Sequence, residues 1–212
     1  MSILKIIEYG NPILRQPTKE VAKISKKIKT LITDMLDTMY HANGVGLAAP
    51  QVGENLRIFV VDVSDPEGPI NPIVFVNPKI IKKEGAINSY EGCLSFPKAY
   101  THVRRYKNIL IKALDINNRP FVKEAKDGTL LARCIQHEFD HLDGKLFIDH
   151  CRNRFEANEV LKKHNLPPIE DDRLINEDFL EKEIVEYEKN HPEELEKQRK
   201  ESEEANKNDK QN

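Results

Sequence analysis

The stretch QHEFDHLDG, residues 136–144, lies in a segment of helical character. Apolar side chains recur through this segment at helical spacing, and Gly144 follows the last of them. The sequence therefore predicts a helix that begins near Asp127 and ends at Gly144. The apolar residues are Leu130, Leu131, Ile135, Phe139 and Leu142. So many apolar positions around one helix predict that it is packed inside the molecule.

Two histidines on this helix are spaced for metal binding. His137 and His141 lie four residues apart, on one helical face, where two imidazoles can hold one metal ion with little strain. Glu138 is offset by roughly 100° and can reach a water on that metal. The other interpretation is a solvated helix face with two histidines by chance. The apolar surroundings favour the metal site, because polar groups on a buried helix need partners.

The third ligand is less evident from the sequence. A catalytic zinc-type site takes three protein ligands and keeps one open position. His150 and His164 follow the motif, but neither has the spacing that zinc proteases use. Cys93 is the best remaining candidate because a thiolate binds borderline metals well, although most free cysteines are simply small buried hydrophobes. Cys134 is expected to be a wall residue, since a ligand there would crowd the same helical turn.

The rest of the chain predicts an α+β fold. The predicted architecture is mostly antiparallel sheets packed around the central H-E-x-x-H helix, with an N-terminal helix and a C-terminal helical extension. The expected elements are a helix from the Ser25 cap to about His41, ended by Gly44; strands at 56–63, 73–76 and 79–87; a hairpin over 108–125 around Asn117 and Asn118; and a helix at 151–164. Residues 1–24 and 44–51 are expected to be irregular.

Charge is unevenly distributed along the chain. Residues 170–212 carry 16 acidic and 8 basic side chains, which leaves 19 acidic and 25 basic ones in residues 1–169. A mildly basic body is compatible with weak contact to a ribosome. The segment after the break at 165–168 is highly charged and is expected to be partly helical or disordered.

The remaining composition predicts a cytoplasmic protein. The chain has three cysteines, a small and odd number, so we do not expect a disulfide framework. The first residues lack the pattern of a signal peptide, and no run approaches the ~18 apolar residues that a membrane span needs. We therefore expect no membrane association.

Three segments, in this order, resemble the motifs of the peptide deformylase family: GVGLAAPQ (44–51), EGCLS (91–95) and QHEFDHLDG (136–144). The segment YGNPILRQP (9–17) also resembles the N-terminal part of that family. The resemblance covers about residues 1–164. It implies a catalytic domain at 1–164 and an additional charged extension at 165–212.

This resemblance implies an activity and a set of site residues. The family removes the formyl group from the N-terminal formylmethionine of new polypeptides and releases formate. The implied ligands of one divalent metal are Cys93, His137 and His141; Fe²⁺ is expected in the cell, and Zn²⁺, Ni²⁺ or Co²⁺ can replace it. Glu138 is expected to move the proton. The side-chain amide of Gln51 and the backbone N–H of Leu94 are expected to stabilise the oxyanion.

The resemblance also implies where the substrate lies. A formylmethionyl nascent peptide would run beside Gly44, Val45 and Gly46 like an added strand. Its methionine side chain would enter an apolar pocket lined by Val45, Leu130 and Cys134. No direct nucleic-acid recognition is implied, and a monomer is expected.

Some positions depart from the family or lie behind the site. Arg133 stands at a pocket position that is aliphatic in some members, and its guanidinium is expected to swing outward. Ser89 replaces a larger apolar residue, and Tyr100 replaces an arginine that touches the peptide in some relatives. An ion pair between Glu91 and Arg105 is expected to steady the Cys93 loop.

Two other functions remain open at the level of sequence. A metalloprotease would use the same helix but needs a third ligand after His141. A non-enzymatic module could bind formylated peptides or keep a structural metal. Glu138 argues against the latter, because a closed metal site has no use for a base beside it.

Overall fold

The computed structural model describes residues 2–170 and 173–175. Within them, five strands form one antiparallel sheet in the order β1-β2-β3-β4-β5, and three α-helices accompany it. The strands are β1 Gly46–Ala48, β2 Ile58–Val61, β3 Ile73–Cys93, β4 Phe96–Leu114 and β5 Pro120–Ala125, and the helices are α1 Lys26–His41, α2 Leu130–Leu142 and α3 Arg154–Lys163. The predicted α+β class is confirmed, with one sheet in place of several.

The interior strand β2, second in the sheet, explains why two helices cover this sheet. Phe59 and Val61 point into a core shared with α2, while Ile58 and Val60 point into a core shared with α1. Successive side chains of a strand alternate between faces, so a strand buried on both faces must be apolar throughout. The helix α2 contacts β1, β2 and β4, which confirms the central position predicted for it.

Both ends of α2 are set by left-handed backbone. The helix begins at Leu130 and not at Asp127, because Asp127 and Gly128 have φ of +58° and +60°. At the other end Gly144 has φ +68°, and the next amide, of Lys145, donates to the carbonyl of Asp140 at 2.9 Å. A Cβ on Gly144 would also lie 2.5 Å from the carbonyl oxygen of Arg15. Gly144 therefore ends the helix as predicted.

The ends of α1 agree only in part with prediction. Ser25 caps the helix, its Oγ accepting from the amide of Ile28 at 3.4 Å. At the other end Asn43, and not Gly44, adopts the left-handed conformation, with φ +53°. Gly44 takes the following position and donates its amide to the carbonyl of Met39 at 2.9 Å. After Asn43 and Gly44 the chain leads directly into β1.

Two strand predictions were wrong in detail. The segment 44–51 is irregular only at its first two residues: the rest forms β1, which pairs with β2, and the start of a 3₁₀ helix, Ala49–Val52. The predicted strands at 73–76 and 79–87 are one strand, β3, whose pairing with β4 shifts register after Val76 and again after Ile80. Such irregularities bend a strand without ending it. The predicted hairpin at 108–125 is confirmed as the β4–β5 pair, although β4 begins earlier, at Phe96.

The C-terminal part of the described chain packs on the body. The helix predicted at 151–164 is present as α3, with Asn153 as its cap. Ile169 is buried, and Leu174 packs against the same apolar cluster. The amide of Ile175 donates to the carbonyl of Asp149 at 2.8 Å. Most of the 165–212 extension lies outside the described residues, and so does the prediction that it is partly helical or disordered. No helix in the described ranges has the length and apolarity that a bilayer crossing requires.

Candidate metal centre and active site

Three predicted ligands meet at one point. The ligand atoms of Cys93, His137 and His141 all lie within 4.8 Å of one another, and Cys93 Sγ is 3.4 Å from His141 Nε2. Both histidines are buried, and Cys93 is partly exposed. The helix α2 supplies the two imidazoles one turn apart. Cys93 is the last residue of β3, at the tip of the long β3–β4 hairpin.

A chain of buried charges orients the first histidine. His137 Nδ1 lies 3.0 Å from Glu91 Oε2, and Arg105 holds both Glu91 oxygens, at 2.9 and 2.8 Å. Because the Glu91 carboxylate contacts Nδ1 of His137, Nε2 of that ring is left to face Cys93 and His141. Arg105 also reaches Asp140 Oδ2 at 2.5 Å, and His150 Nε2 lies 2.8 Å from the same oxygen. The predicted pair of Glu91 and Arg105 is confirmed, and it is part of a longer network.

The network keeps its carboxylates ionised although they are buried. Burial alone would raise the pKa of Glu91, but Arg105 and His137 reverse the shift and hold that pKa well below its usual range. Burial likewise disfavours a charged Asp140, and His150 and Arg105 lower its pKa in the same way. Sequence reasoning did not find Asp140 or His150 in this role. The available signal was Asp140 inside the motif, three residues after His137 and so on a neighbouring face.

The two ligand imidazoles differ in their preference for a proton. Burial lowers the pKa of His141 well below its usual value, so this ring is neutral and its nitrogens can bind a metal. Burial also disfavours a charged His137, but its contacts with Cys93 and Glu91 more than offset this and raise the pKa. A metal at Nε2 of His137 would therefore replace a proton.

The predicted base is enclosed beside the ligands. Glu138 is 4% exposed, and burial raises its pKa to about 7, with Glu91 and Asp140 adding to the effect of burial. Its Oε2 has no hydrogen-bond partner among the described residues. A Cβ on Gly46 would lie 2.5 Å from Glu138 Oε1 and 2.7 Å from Cys134 Sγ. Only glycine therefore lets β1 approach the base this closely.

The side-chain amide of Gln51 is aimed at the same point. Its Oε1 accepts the backbone N–H of Ala48 at 2.8 Å, which fixes the orientation of the amide. Its Nε2 then lies 3.4 Å from Cys93 Sγ and 3.3 Å from Ser95 Oγ. Gln51 is buried, and Leu94 lines the cavity beside it.

A cavity of about 390 Å³ opens next to these groups. It lies between β1, the end of β3 and the first turns of α2. Val45 and Leu130 are 42% and 44% exposed and form part of its rim. Every residue predicted to bind substrate lines it: Gly44, Val45, Gly46, Leu130 and Cys134. The tip of β3 contributes Gly92, against which the ring of Tyr100 lies so closely that a Cβ would collide with it.

The prediction for Arg133 was wrong. Its guanidinium does not swing outward: Nη1 donates to Ser89 Oγ at 3.2 Å, and Ser89 is 1% exposed. Two of the three residues that were expected to depart from the family pattern, Arg133 and Ser89, therefore contact each other, and Arg133 lines the cavity. The partner of Arg133 lies on another element, so spacing along α2 did not indicate it.

The donor set fits a divalent metal. In a tetrahedral site, a sulfur and a nitrogen bound to one ion lie roughly 3.5 Å apart, close to the 3.4 Å between Cys93 Sγ and His141 Nε2. One thiolate and two imidazoles suit zinc or ferrous iron. His150, the nearest histidine after the motif, pairs with Asp140 and lies outside the three-residue cluster.

An antiparallel sheet around one H-E-x-x-H helix, with a cysteine completing the ligand cluster and a glutamate enclosed beside it, defines a class of α+β hydrolase. A model of the polypeptide deformylase family matches residues 3–156. Peptide deformylase from Alkalilimnicola ehrlichii is 49% identical over 150 residues, which cover 71% of this chain and 83% of that one. The enzyme from Baumannia cicadellinicola is 48% identical over 163 residues, covering 77% and 95%.

Solved structures agree with these relatives. A crystal structure of a peptide deformylase from Synechococcus elongatus in complex with actinonin superposes with a TM-score of 0.71 at 43% identity, covering 78% of this chain and 91% of that one. The chain therefore belongs to the polypeptide deformylase family.

Proposed function

We propose that this enzyme is a metal-dependent deformylase that hydrolyses the formyl group of N-terminal formylmethionine on newly made polypeptides and releases formate. The observation that carries the proposal is the meeting of Cys93 with His137 and His141, beside Glu138 and at the end of an open cavity. Family membership supports the same reaction.

The proposed metal ligands are Cys93, His137 and His141. We propose Fe²⁺ in the cell, with Zn²⁺, Ni²⁺ or Co²⁺ able to replace it. When bound, such an ion acidifies a water molecule and polarises a carbonyl oxygen. The protein contributes the fixed orientation of the ligands, through Glu91 at Nδ1 of His137 and Arg105 behind it.

Glu138 is proposed to be the general base and then the general acid. It takes a proton from the attacking water and later gives one to the leaving amine nitrogen. A pKa of about 7 suits both directions at neutral pH, because neither form is strongly disfavoured. The Oε2 atom has no partner among the described residues, so it is available for this proton.

Two donors are proposed for the oxygen of the formyl group as it gains charge. One is Gln51 Nε2, which the bond from Ala48 to the other end of the amide holds toward Cys93. The second is the backbone N–H of Leu94, next to the metal ligand. Donors fixed in advance stabilise the transition state without reorganisation.

The substrate is proposed to bind along β1. Among the described strands β1 lies at one edge of the sheet, so a formylmethionyl peptide can pair beside Gly44, Val45 and Gly46. Its first side chain then enters the cavity past Leu130 and Cys134.

We further propose the cellular setting and the domain division. The enzyme acts in the cytoplasm as a monomer, with at most weak contact to the ribosome. Residues 1–164 form the catalytic domain and 165–212 the extension. The burial of Ile169 and the bond from Ile175 to Asp149 support the view that the start of this extension is fixed to the body.

Formate release tests the proposal. Protein purified without oxygen and loaded with Fe²⁺ or Ni²⁺ should release formate from formyl-Met-Ala-Ser but should not cleave acetyl-Met-Ala-Ser at a comparable rate. The matched control is Cys93→Ala, which should lose the metal, whereas a protease with a ligand after His141 would keep it. Absence of formate from protein that holds one metal per chain would contradict the proposal.

A further inference from the structure

We propose that Arg133 determines which first side chain the cavity accepts. Its guanidinium adds a hydrogen-bond-donating wall beside the apolar part of the cavity formed by Val45, Leu130 and Cys134, which selects side chains that carry an acceptor near their end. The thioether of methionine qualifies weakly, and the sulfoxide of oxidised methionine qualifies strongly. An all-carbon chain of the same length does not qualify. The inference rests on the proposed function, since it concerns the substrate of that same site.

The position of Arg133 follows from how α2 lies against β3. Arg133 is four residues before His137 on α2, and Ser89 is two residues before Glu91 on β3. Four residues of a helix rise about 6.0 Å, and two residues of a strand rise about 6.6 Å. The distance along α2 from Arg133 to His137 therefore matches the distance along β3 from Ser89 to Glu91. Arg133 Nη1 meets Ser89 Oγ at 3.2 Å just as His137 Nδ1 meets Glu91 at 3.0 Å. The guanidinium therefore stands one helical turn from the ligands, in the wall of the cavity.

The hydrogen-bonding capacity of this guanidinium is mostly unused. A guanidinium carries five N–H donors, and the described residues provide one acceptor, Ser89 Oγ. The Nε atom is enclosed and has no partner among those residues. The carboxylate two residues beyond Ser89, that of Glu91, is held at both oxygens by Arg105. Arg133 is thus a cation in the cavity wall without a carboxylate partner in the described chain.

The remaining wall residues sharpen the selection. Val45 and Leu130 offer carbon only, and the Cys134 thiol donates to the carbonyl of Val45 at 3.4 Å. Among these four wall residues, an acceptor on the substrate would therefore find its donor at Arg133. A site that offers a hydrogen bond rejects a ligand lacking the partner group more strongly than an apolar pocket distinguishes ligands by size.

Three substrates of nearly equal length separate the possibilities. Formyl-Xaa-Ala-Ser would be compared with Xaa as methionine, norleucine and methionine sulfoxide, using kcat/KM for formate release. Norleucine replaces the sulfur with carbon, and the sulfoxide adds a strong acceptor oxygen. The wild-type enzyme should prefer the sulfoxide over norleucine by about tenfold. Arg133→Met should reverse this order, because methionine makes the wall apolar and suits a helix.

Two further variants and a second readout keep the test decisive. Arg133→Lys retains a charge but loses the planar fork, so its preference should be intermediate. The matched control Lys82→Met removes an exposed cation outside the cavity and should leave the sulfoxide-to-norleucine ratio as in wild type. Calorimetric binding of the deformylated products Xaa-Ala-Ser should show the same ratios without turnover.

The outcomes separate the two proposals. Formate release with a sulfoxide-to-norleucine ratio that is equal in wild type, Arg133→Met and Arg133→Lys would overturn the role of Arg133 and leave deformylation standing. Product binding that follows Arg133 while no substrate yields formate would support the selective wall and overturn the proposed reaction.

Discussion

The two halves of α2 contribute to the site in different ways. The second half, with His137, Glu138 and His141, is buried, and a network of paired charges lies behind it. The first half, with Leu130 and Arg133, borders an open cavity and has few fixed partners. The proposed reaction chemistry is thus assigned to the half where burial and pairing leave the side chains little freedom. We propose that substrate choice resides in the first half, where one change of side chain would alter the wall and leave the proposed metal ligands in place.

The largest effect should come from the base in the buried half. Glu138→Gln should keep the metal, because Glu138 is not a ligand, yet kcat should fall by about 10³-fold or more. Metal analysis and formate release on the same sample would check both parts. The variant Leu130→Met, in the open half, should stay far closer to wild type. Turnover retained in Glu138→Gln would show that another group moves the proton.

The next largest effect concerns the charges behind the ligands. Arg105→Ala should lower the free energy of unfolding by about 3–5 kcal/mol, because it leaves Glu91 and Asp140 buried without their cation. The control is Lys82→Ala, which removes an exposed ion pair with Glu84 of similar length, 2.6 Å against 2.8 and 2.5 Å for the pairs of Arg105.

Urea unfolding would compare these two variants. The exposed pair should contribute less than about 1 kcal/mol, since solvent screens it. Equal destabilisation by both variants would mean that burial does not decide the role of Arg105.

A smaller change tests how closely β1 must approach α2. Gly46→Ala should lower kcat/KM and cost about 1–3 kcal/mol of stability, because the new methyl group would meet Glu138 and Cys134 at under 3 Å. The control Gly68→Ala, in an exposed loop, meets Asp65 at 3.3 Å and should be nearly silent. Full activity in Gly46→Ala would show that the side chains of α2 can shift to make room for the methyl group.

The smallest effect concerns Asp62, a hydrogen-bonded carboxylate away from α2. Burial disfavours charge on Asp62, but hydrogen bonds from Ser64 and Tyr40 outweigh it and lower the pKa. Its stabilising contribution should therefore be complete above the unfolded pKa of about 3.9 and be lost as pH falls through the lower folded value. Unfolding of wild type and Asp62→Asn from pH 6 to 3 would measure this. A stability difference that does not shrink with falling pH would contradict the assignment.

Local spacing sufficed to predict some of these features and not others. The helix α2, its two histidines and its end at Gly144 follow from the helical period of the apolar residues and from the capping of the helix. Both of these act over a few residues. Cys93 was a candidate by its chemistry, and the resemblance to family motifs assigned it and Gln51 to the site, because spacing alone does not bring their segments to α2. The roles of Asp140 and His150, and the contact of Arg133 with Ser89, depend on which elements pack together. Local spacing does not contain that information.

X-ray absorption on protein loaded with one Zn²⁺ or Ni²⁺ per chain tests the central claim most directly. The account predicts one sulfur at about 2.3 Å and two imidazole nitrogens at about 2.0 Å from the metal, with the sulfur lost in Cys93→Ser. A metal with no sulfur neighbour in the wild-type protein would contradict the convergence of β3 and α2 on which the proposed reaction depends.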